Sequence, residues 1–168
     1  MKKLTRIFAA IIAVCTLALG IMLFGCNKGG GLDLGDGTGD YIAKQTETEV
    51  VFVGTTEVLR EHDEYSLYDY MTALKIKNQL AFDGSDSQYG FNVTSVNGKA
   101  AESGATSGTY WAVFISFKTL DGDAAVYASD ETTYAYGTAT LYYANFGVSG
   151  IPYVNGATYA LVLQSWSI

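Results

Sequence analysis

Apolar positions follow three rhythms along this chain, and each predicts a different element. From Ile7 to Phe24 the residues are almost continuously apolar, behind a charged start, Met1-Lys2-Lys3-Leu4-Thr5-Arg6. Further on, Leu67, Tyr70, Met71 and Leu74 recur at the i, i+3, i+4, i+7 spacing of a helix with one apolar face. Ser66 and Asp69 stand where a capping box closes the first turn, and Tyr65 and Tyr70 where a hydrophobic staple spans it. Lys75 and Lys77 suit the negative end of the helix dipole, and Asn78 closes the helix.

The remaining apolar runs are short and strand-like. Val50-Val51-Phe52-Val53 is an apolar block between polar neighbours, so a buried strand. Glu57-Val58-Leu59-Arg60 reads as its hairpin partner across Gly54-Thr55-Thr56. Phe91 and Val93 alternate with Asn92 and Thr94, and the alternation breaks at Ser95-Val96 before the tight-turn pair Asn97-Gly98. Tyr110 to Phe117 is nearly all apolar and predicts a central strand covered on both faces. A loose stretch to Thr133, a strand within Tyr134–Tyr143, a loop at Ala144–Gly150 and a last strand from Tyr159 to Trp166 complete the chain. Two strands, one helix and about four strands bury the helical stripe most simply as an α+β domain, with one helix packed on a mixed β-sheet. A β-grasp-like arrangement with additional strands fits this order.

The first apolar run is long enough for a membrane-spanning helix, which needs roughly 20 apolar residues. Leu23-Phe24-Gly25-Cys26 at its end resembles a bacterial lipobox, in which the cysteine is lipidated and becomes the first mature residue. The cations confined to the start and the small residue before Cys26 favour that reading over an uncleaved anchor. It divides the chain into a signal peptide, 1–25, a lipidated Cys26 with a Gly/Asp-rich tether, 26–40, and one domain, 41–168. The expected location is the extracytoplasmic face of a bacterial cell membrane, held there by lipid on Cys26.

Charge and cysteine usage then narrow the partners. Loss of Lys2, Lys3 and Arg6 with the signal takes the formal net charge from −7 to −10. An acidic domain lacks the basic face that phosphate recognition needs, so no nucleic-acid partner is expected. Cys15 also leaves with the signal, so a lipidated Cys26 leaves no thiol for a disulfide or a metal. Asp33, Asp36 and Asp40 lack the spacing of an EF-hand loop.

Within the domain, several local signals come in a characteristic order. Ser66-Leu67-Tyr68-Asp69-Tyr70-Met71 opens the helix. Tyr89-Gly90 precedes a strand running into Val93-Thr94-Ser95-Val96-Asn97-Gly98-Lys99-Ala100-Ala101. Tyr110-Trp111, Gly147-Val148-Ser149 and Asn155-Gly156 follow, and then a strand ending Ser165-Trp166. This series resembles the C-terminal β domain of transcobalamin and intrinsic factor and its relatives on bacterial surface lipoproteins, over most of residues 47–166. The resemblance implies a β-grasp-like domain whose ligand is cobalamin or a related corrinoid. It also implies a partner, an importer or a second binding protein, because in transcobalamin a separate helical barrel holds the other corrinoid face and this sequence carries none.

A corrinoid offers a broad apolar face rimmed by amides, which asks for aromatic and glycine surfaces with backbone and Asn groups around them. Tyr89, Gly90, Tyr110, Trp111, Phe146, Gly147 and Val148 are the ligand-binding candidates. Consecutive strand side chains point to opposite faces, so one of Tyr110 and Trp111 is expected in the core and the other at the ligand. For Tyr89 and Gly90 the plainer alternative is a turn before a strand, and for Phe146 to Val148 a loop plugging the core. Trp166 is expected to pack beside Ala160 and Val162.

Catalysis finds little support in the residue pattern. His62 is the sole histidine and sits in a charge run, Glu61-His62-Asp63-Glu64, which reads as a solvated turn. A serine nucleophile would need it as a base, and a zinc site would need further cysteine or histidine. No catalytic residue, no metal site and no required cofactor is therefore assigned. Thirteen tyrosines and two tryptophans keep a second function open, a cell-surface glycan-binding or protein-interaction module without a small-molecule ligand.

Overall fold

The computed structural model describes residues 31–168. The signal segment, Cys26 and the first tether residues lie outside them. The described residues form nine strands and one α-helix: β1 (Ile42–Gln45), β2 (Glu49–Val53), α1 (Leu67–Ile76), β3 (Phe82–Ser87), β4 (Gly90–Val96), β5 (Lys99–Ala100), β6 (Ser107–Ile115), β7 (Ala128–Tyr136), β8 (Ala139–Ala144) and β9 (Thr158–Ser167). A six-stranded sheet runs in the order β1-β2-β9-β6-β8-β7, and β3-β4-β5 form a second, smaller sheet. The α+β class expected from the sequence is the class observed. The mixed sheet is not, because every strand pair is antiparallel. Alternation marks which face of a strand is buried and carries no information on its direction.

The helix forms where its pattern placed it. The Asp69 N–H donates to Ser66 Oγ, and the Ser66 N–H returns a 2.8 Å hydrogen bond to the Asp69 carboxylate. Leu67, Tyr70, Met71, Ala73 and Leu74 are buried against one face of the large sheet. There Phe52 stacks between Tyr70 and Tyr159 at centroid distances of 5.7 and 5.8 Å. Each buried phenol keeps a polar partner: Tyr70 Oη donates to Val53 C=O at 2.9 Å and Tyr153 Oη to Leu59 C=O at 3.0 Å.

The opposite face of the large sheet holds a second core of Val51, Ala112, Phe114, Leu141, Ala160 and Val162. Among the described residues no second helix covers it; the sheet itself curls over it. A flat sheet of this order would hold β1 and β7 roughly 24 Å apart, at about 4.8 Å per strand step. Instead Lys44 Nζ of β1 lies 3.3 Å from Tyr134 Oη of β7, and Tyr136 Oη reaches Ala43 C=O at 3.5 Å. Small Ala112 and Ala160 leave room inside the curl for Phe114. Trp166 lies opposite Gly108 on the same face as Ala160 and Val162, and a Cβ on Gly108 would fall 2.8 Å from its indole nitrogen.

Three expectations are corrected. Glu57–Arg60 is not a hairpin partner of β2, whose neighbours are β1 and β9. Thr55 C=O accepts the N–H groups of both Val58 and Leu59, which tightens the chain into a turn. The loose stretch before Thr133 is half of β7, which bulges between Ser129 and Thr133 against β8. The domain begins at Leu32 rather than at residue 41. Leu32 and Leu34 pack on the core, Gly35 and Gly37 N–H groups donate to Val58 and Glu57 C=O, and Lys77 Nζ holds Gly35 and Gly37 C=O at 2.9 and 2.7 Å. A glycine-rich composition suited a tether. These glycines serve close approach instead: a Cβ on Gly35 would lie 2.2 Å from Thr56 O.

Candidate functional site

An aromatic cleft of about 610 Å³ opens where β4, β6 and the end of β8 converge. Each wall has a local cause. On β4, the break in alternation at Ser95-Val96 is a bulge: Asp83 faces Ser95 and Gly84 faces Val93, which leaves Thr94 unpaired. The bulge turns Phe91 and Asn92 toward the cleft while Val93 and Val96 stay buried. Asn97 and Gly98, with φ of 48° and 82°, form the two-residue turn into β5. Lys99 C=O then accepts the Trp111 indole N–H at 3.0 Å, which ties the small sheet to β6.

The third wall is the loop after β8. Its anchor is a backbone-to-backbone approach between Gly90 and Gly147. A Cβ on Gly147 would sit 2.6 Å from Phe91 O, and one on Gly90, whose φ is +106°, would sit 2.9 Å from Ser149 Oγ. The Gly147 N–H donates to Tyr89 C=O and the Phe91 N–H to Ser149 Oγ, both at 2.8 Å. Phe146 is propped from behind by Tyr127, at a centroid distance of 6.1 Å. The Asn145 N–H donates to Tyr127 C=O and its Nδ2 to Val126 C=O. The segment between Phe117 and Tyr136 therefore supports the cleft. The Tyr127 hydroxyl donates to the Asp123 carboxylate, a bond that raises the phenol's pKa and lowers the carboxyl's.

Five of the residues singled out in the sequence line this cleft together: Tyr89, Tyr110, Trp111, Phe146 and Gly147. Tyr89 and Phe146 form its exposed rim, at 60% and 36% exposure, and Trp111 its floor, at 5%. Two do not line it. Gly90 spends its freedom on the loop contact, and Val148 is fully buried as a core plug. Of Tyr110 and Trp111, one was expected in the core, and Trp111 is that residue, while Tyr110 is half-buried. Both nevertheless border the cleft, which meets β6 at its edge. Phe91, Asn92, Tyr143 and Asn145 join them. Phe91-Asn92 follow Tyr89-Gly90 directly and were legible as neighbours; Tyr143 and Asn145 had no distinguishing signal.

Chemically this is a surface for contact. Its polar side chains are Asn92, Thr94, Thr109, Asn145 and phenols, with no carboxylate, lysine or histidine among the described lining residues. Burial, and after it the nearby Tyr110, raises the Tyr143 pKa. His62 lies elsewhere, its ring 4.9 Å from that of Tyr65 and its Nδ1 accepting the Glu64 N–H. Among the described residues no group of three or more His, Cys, Asp or Glu side chains could hold a metal. A second groove of about 660 Å³, lined by residues such as Asp40, Lys44 and Asn78, contains no aromatic ring. Compared with models of known families, with curated proteins and with solved structures, the chain matches none.

Proposed function

We propose that this protein is a lipid-anchored, extracytoplasmic binding protein that captures cobalamin or a related corrinoid for uptake with a partner. The observation that carries the reading is the convergence of Tyr89, Tyr110, Trp111, Phe146 and Gly147, drawn from distant parts of the chain, on one cleft. Its volume falls in the range of small-molecule sites, about 300–1,000 Å³. A corrinoid ring lies across such a cleft with one face against the aromatic floor, which leaves the other face for a second protein. A β-grasp relationship is part of this proposal; the helix across one sheet face favours it, and the antiparallel β2–β9 pair departs from it. Lipid on Cys26 places the domain beside an importer and raises its local concentration there.

The glycan alternative asks for several exposed rings in one plane. Of the thirteen tyrosines only Tyr89 is exposed, which favours the cleft. Equilibrium dialysis of residues 27–168 against cobalamin tests the ligand. Retention that falls at least about tenfold in the Tyr89→Ser, Phe146→Ser double variant supports the proposal, because each buried aromatic contact contributes about 1 kcal/mol or more. No retention at high micromolar protein, alone or with the host's corrinoid importer, rules the ligand out. Mass spectrometry of the mature N-terminus tests the anchor separately.

A further inference from the structure

The rings that line the cleft are held to different degrees. Phe91 belongs to a closed triad. Its centroid lies 4.8 Å from that of Tyr68 on α1 and 6.1 Å from that of Phe82, and Tyr68 and Phe82 lie 5.8 Å apart. Trp111 is fixed through its indole N–H, and Tyr143 packs edge-on against the buried Phe114 at 5.7 Å. Phe146 stands at the rim, and among the described residues its one aromatic contact is Tyr127. The backbone beside it is pinned by the Gly90–Gly147 approach. The freedom left to this wall is therefore rotation of the Phe146 side chain.

Tyr127 does not line the cleft, yet it is tied on every side. Its N–H donates to Lys118 C=O at 2.7 Å, and its C=O accepts the Asn145 N–H at 2.8 Å. Its hydroxyl donates to the Asp123 carboxylate, whose other oxygen accepts the Ala125 N–H at 2.9 Å. Its ring rests edge-on against Phe117 at 6.0 Å, and Phe117 rests against the buried Tyr159 at 6.3 Å. A path of rings thus runs from the core under α1 to the rim and ends at Phe146. A rim side chain that is free to turn must be ordered when a ligand arrives, which weakens binding by about twofold to tenfold. A ring already held in place avoids that loss. We infer that Tyr127 is a positioning residue for ligand recognition: its ring holds the Phe146 side chain in one rotamer and so preforms the rim wall. The helix fixes the Phe91 wall, and the 118–127 segment sets the Phe146 wall. This deepens the proposed function and rests on the cleft being the ligand site, not on the ligand being a corrinoid.

The test uses residues 27–168 carrying isotope-labelled phenylalanine, with the Phe146 ring signals assigned by their loss in Phe146→Leu. In the free protein Tyr127→Leu is expected to move the Phe146 shifts toward those of an unstructured chain and to leave the Phe91 signals in place. Tyr127→Phe, which keeps the ring and loses the bond to Asp123, is expected to restore the Phe146 shifts. Binding is then read with two probes, cobalamin by equilibrium dialysis and the neutral flat dye Nile red by fluorescence. Tyr127→Leu should weaken binding about twofold to tenfold, and Tyr127→Phe should recover it. In a Phe146→Leu background Tyr127→Leu should weaken it no further, as expected of a residue that acts through Phe146. Unchanged Phe146 signals in Tyr127→Leu, or an equal loss of binding in both backgrounds, overturns the inference. Collapse of the Phe91 signals together with those of Phe146 marks a general loss of structure and overturns it as well. Nile red following the expected pattern without retention of cobalamin overturns the corrinoid reading and leaves the inference standing. Binding of neither probe by the unaltered chain overturns both.

Discussion

Asn78 shows how much a single residue decides here. Its φ is 58°, in the left-handed region where asparagine and glycine are favoured. The Asn78 N–H donates to Lys75 C=O and the Gln79 N–H to Leu74 C=O, both at 3.0 Å, so the helix ends in a Schellman motif. Asn78→Gly is expected to keep or slightly raise stability in a urea titration, and Asn78→Val to lower it by about 1–2 kcal/mol. At the other end, Ser66→Ala is expected to cost about 1 kcal/mol by removing the cap. Both ends were legible because their chemistry is local. The Gly90–Gly147 approach was not: each glycine was expected to admit a ligand, and each admits the other's backbone. Gly147→Ala should lower the melting temperature and displace Phe146, which its ring NMR signals would report.

Among the elements, the segment from Leu32 to Asp40 departs furthest from its composition. Six glycines and three aspartates between residues 27 and 40 have the look of a solvated linker. What composition hides is that Leu32 and Leu34 reach the core and that the intervening glycines let the backbone lie against Thr56 and Glu57. A chain beginning at Tyr41 should therefore be less stable than one beginning at Asn27 by about 2 kcal/mol or more, from the lost burial of two leucines. Equal urea midpoints for the two would restore the linker reading. β3 escaped notice for a related reason. Phe82-Asp83-Gly84-Ser85-Asp86-Ser87 has little strand propensity, and it forms because β4 beside it presents an unpaired edge.

For the whole molecule, the stacked phenols under the helix set its response to alkali. Burial pushes the Tyr153 hydroxyl up to about 12, with Glu61 adding to the shift, and raises Tyr70 and Tyr159 further still. An unfolded chain releases these protons near pH 10, whereas the folded protein retains them. Their contribution to stability is thus complete below about pH 10 and declines as pH rises toward and past 12. Urea midpoints should be level from pH 7 to about 9 and fall above about 10. Tyr153→Phe should make that fall shallower, while losing the hydrogen bond to Leu59 C=O at every pH. An unchanged slope would mean that Tyr153 does not hold its proton in the folded state.

The sequence by itself determined the helix with both its caps, the β2 and β9 strands, the tight turn at Asn97-Gly98, the acidic balance and most of the aromatic candidates. These depend on residues within a few positions of one another, where spacing and propensity act directly. Tertiary structure alone decided that the last strand lies between β2 and β6, that the sheet curls until Lys44 meets Tyr134, and that β6 and β8 part to open a cleft. Those outcomes follow from which strands pair and how far. Strand pairing is a competition among surfaces distant in sequence, and a period of two looks the same whichever partner wins.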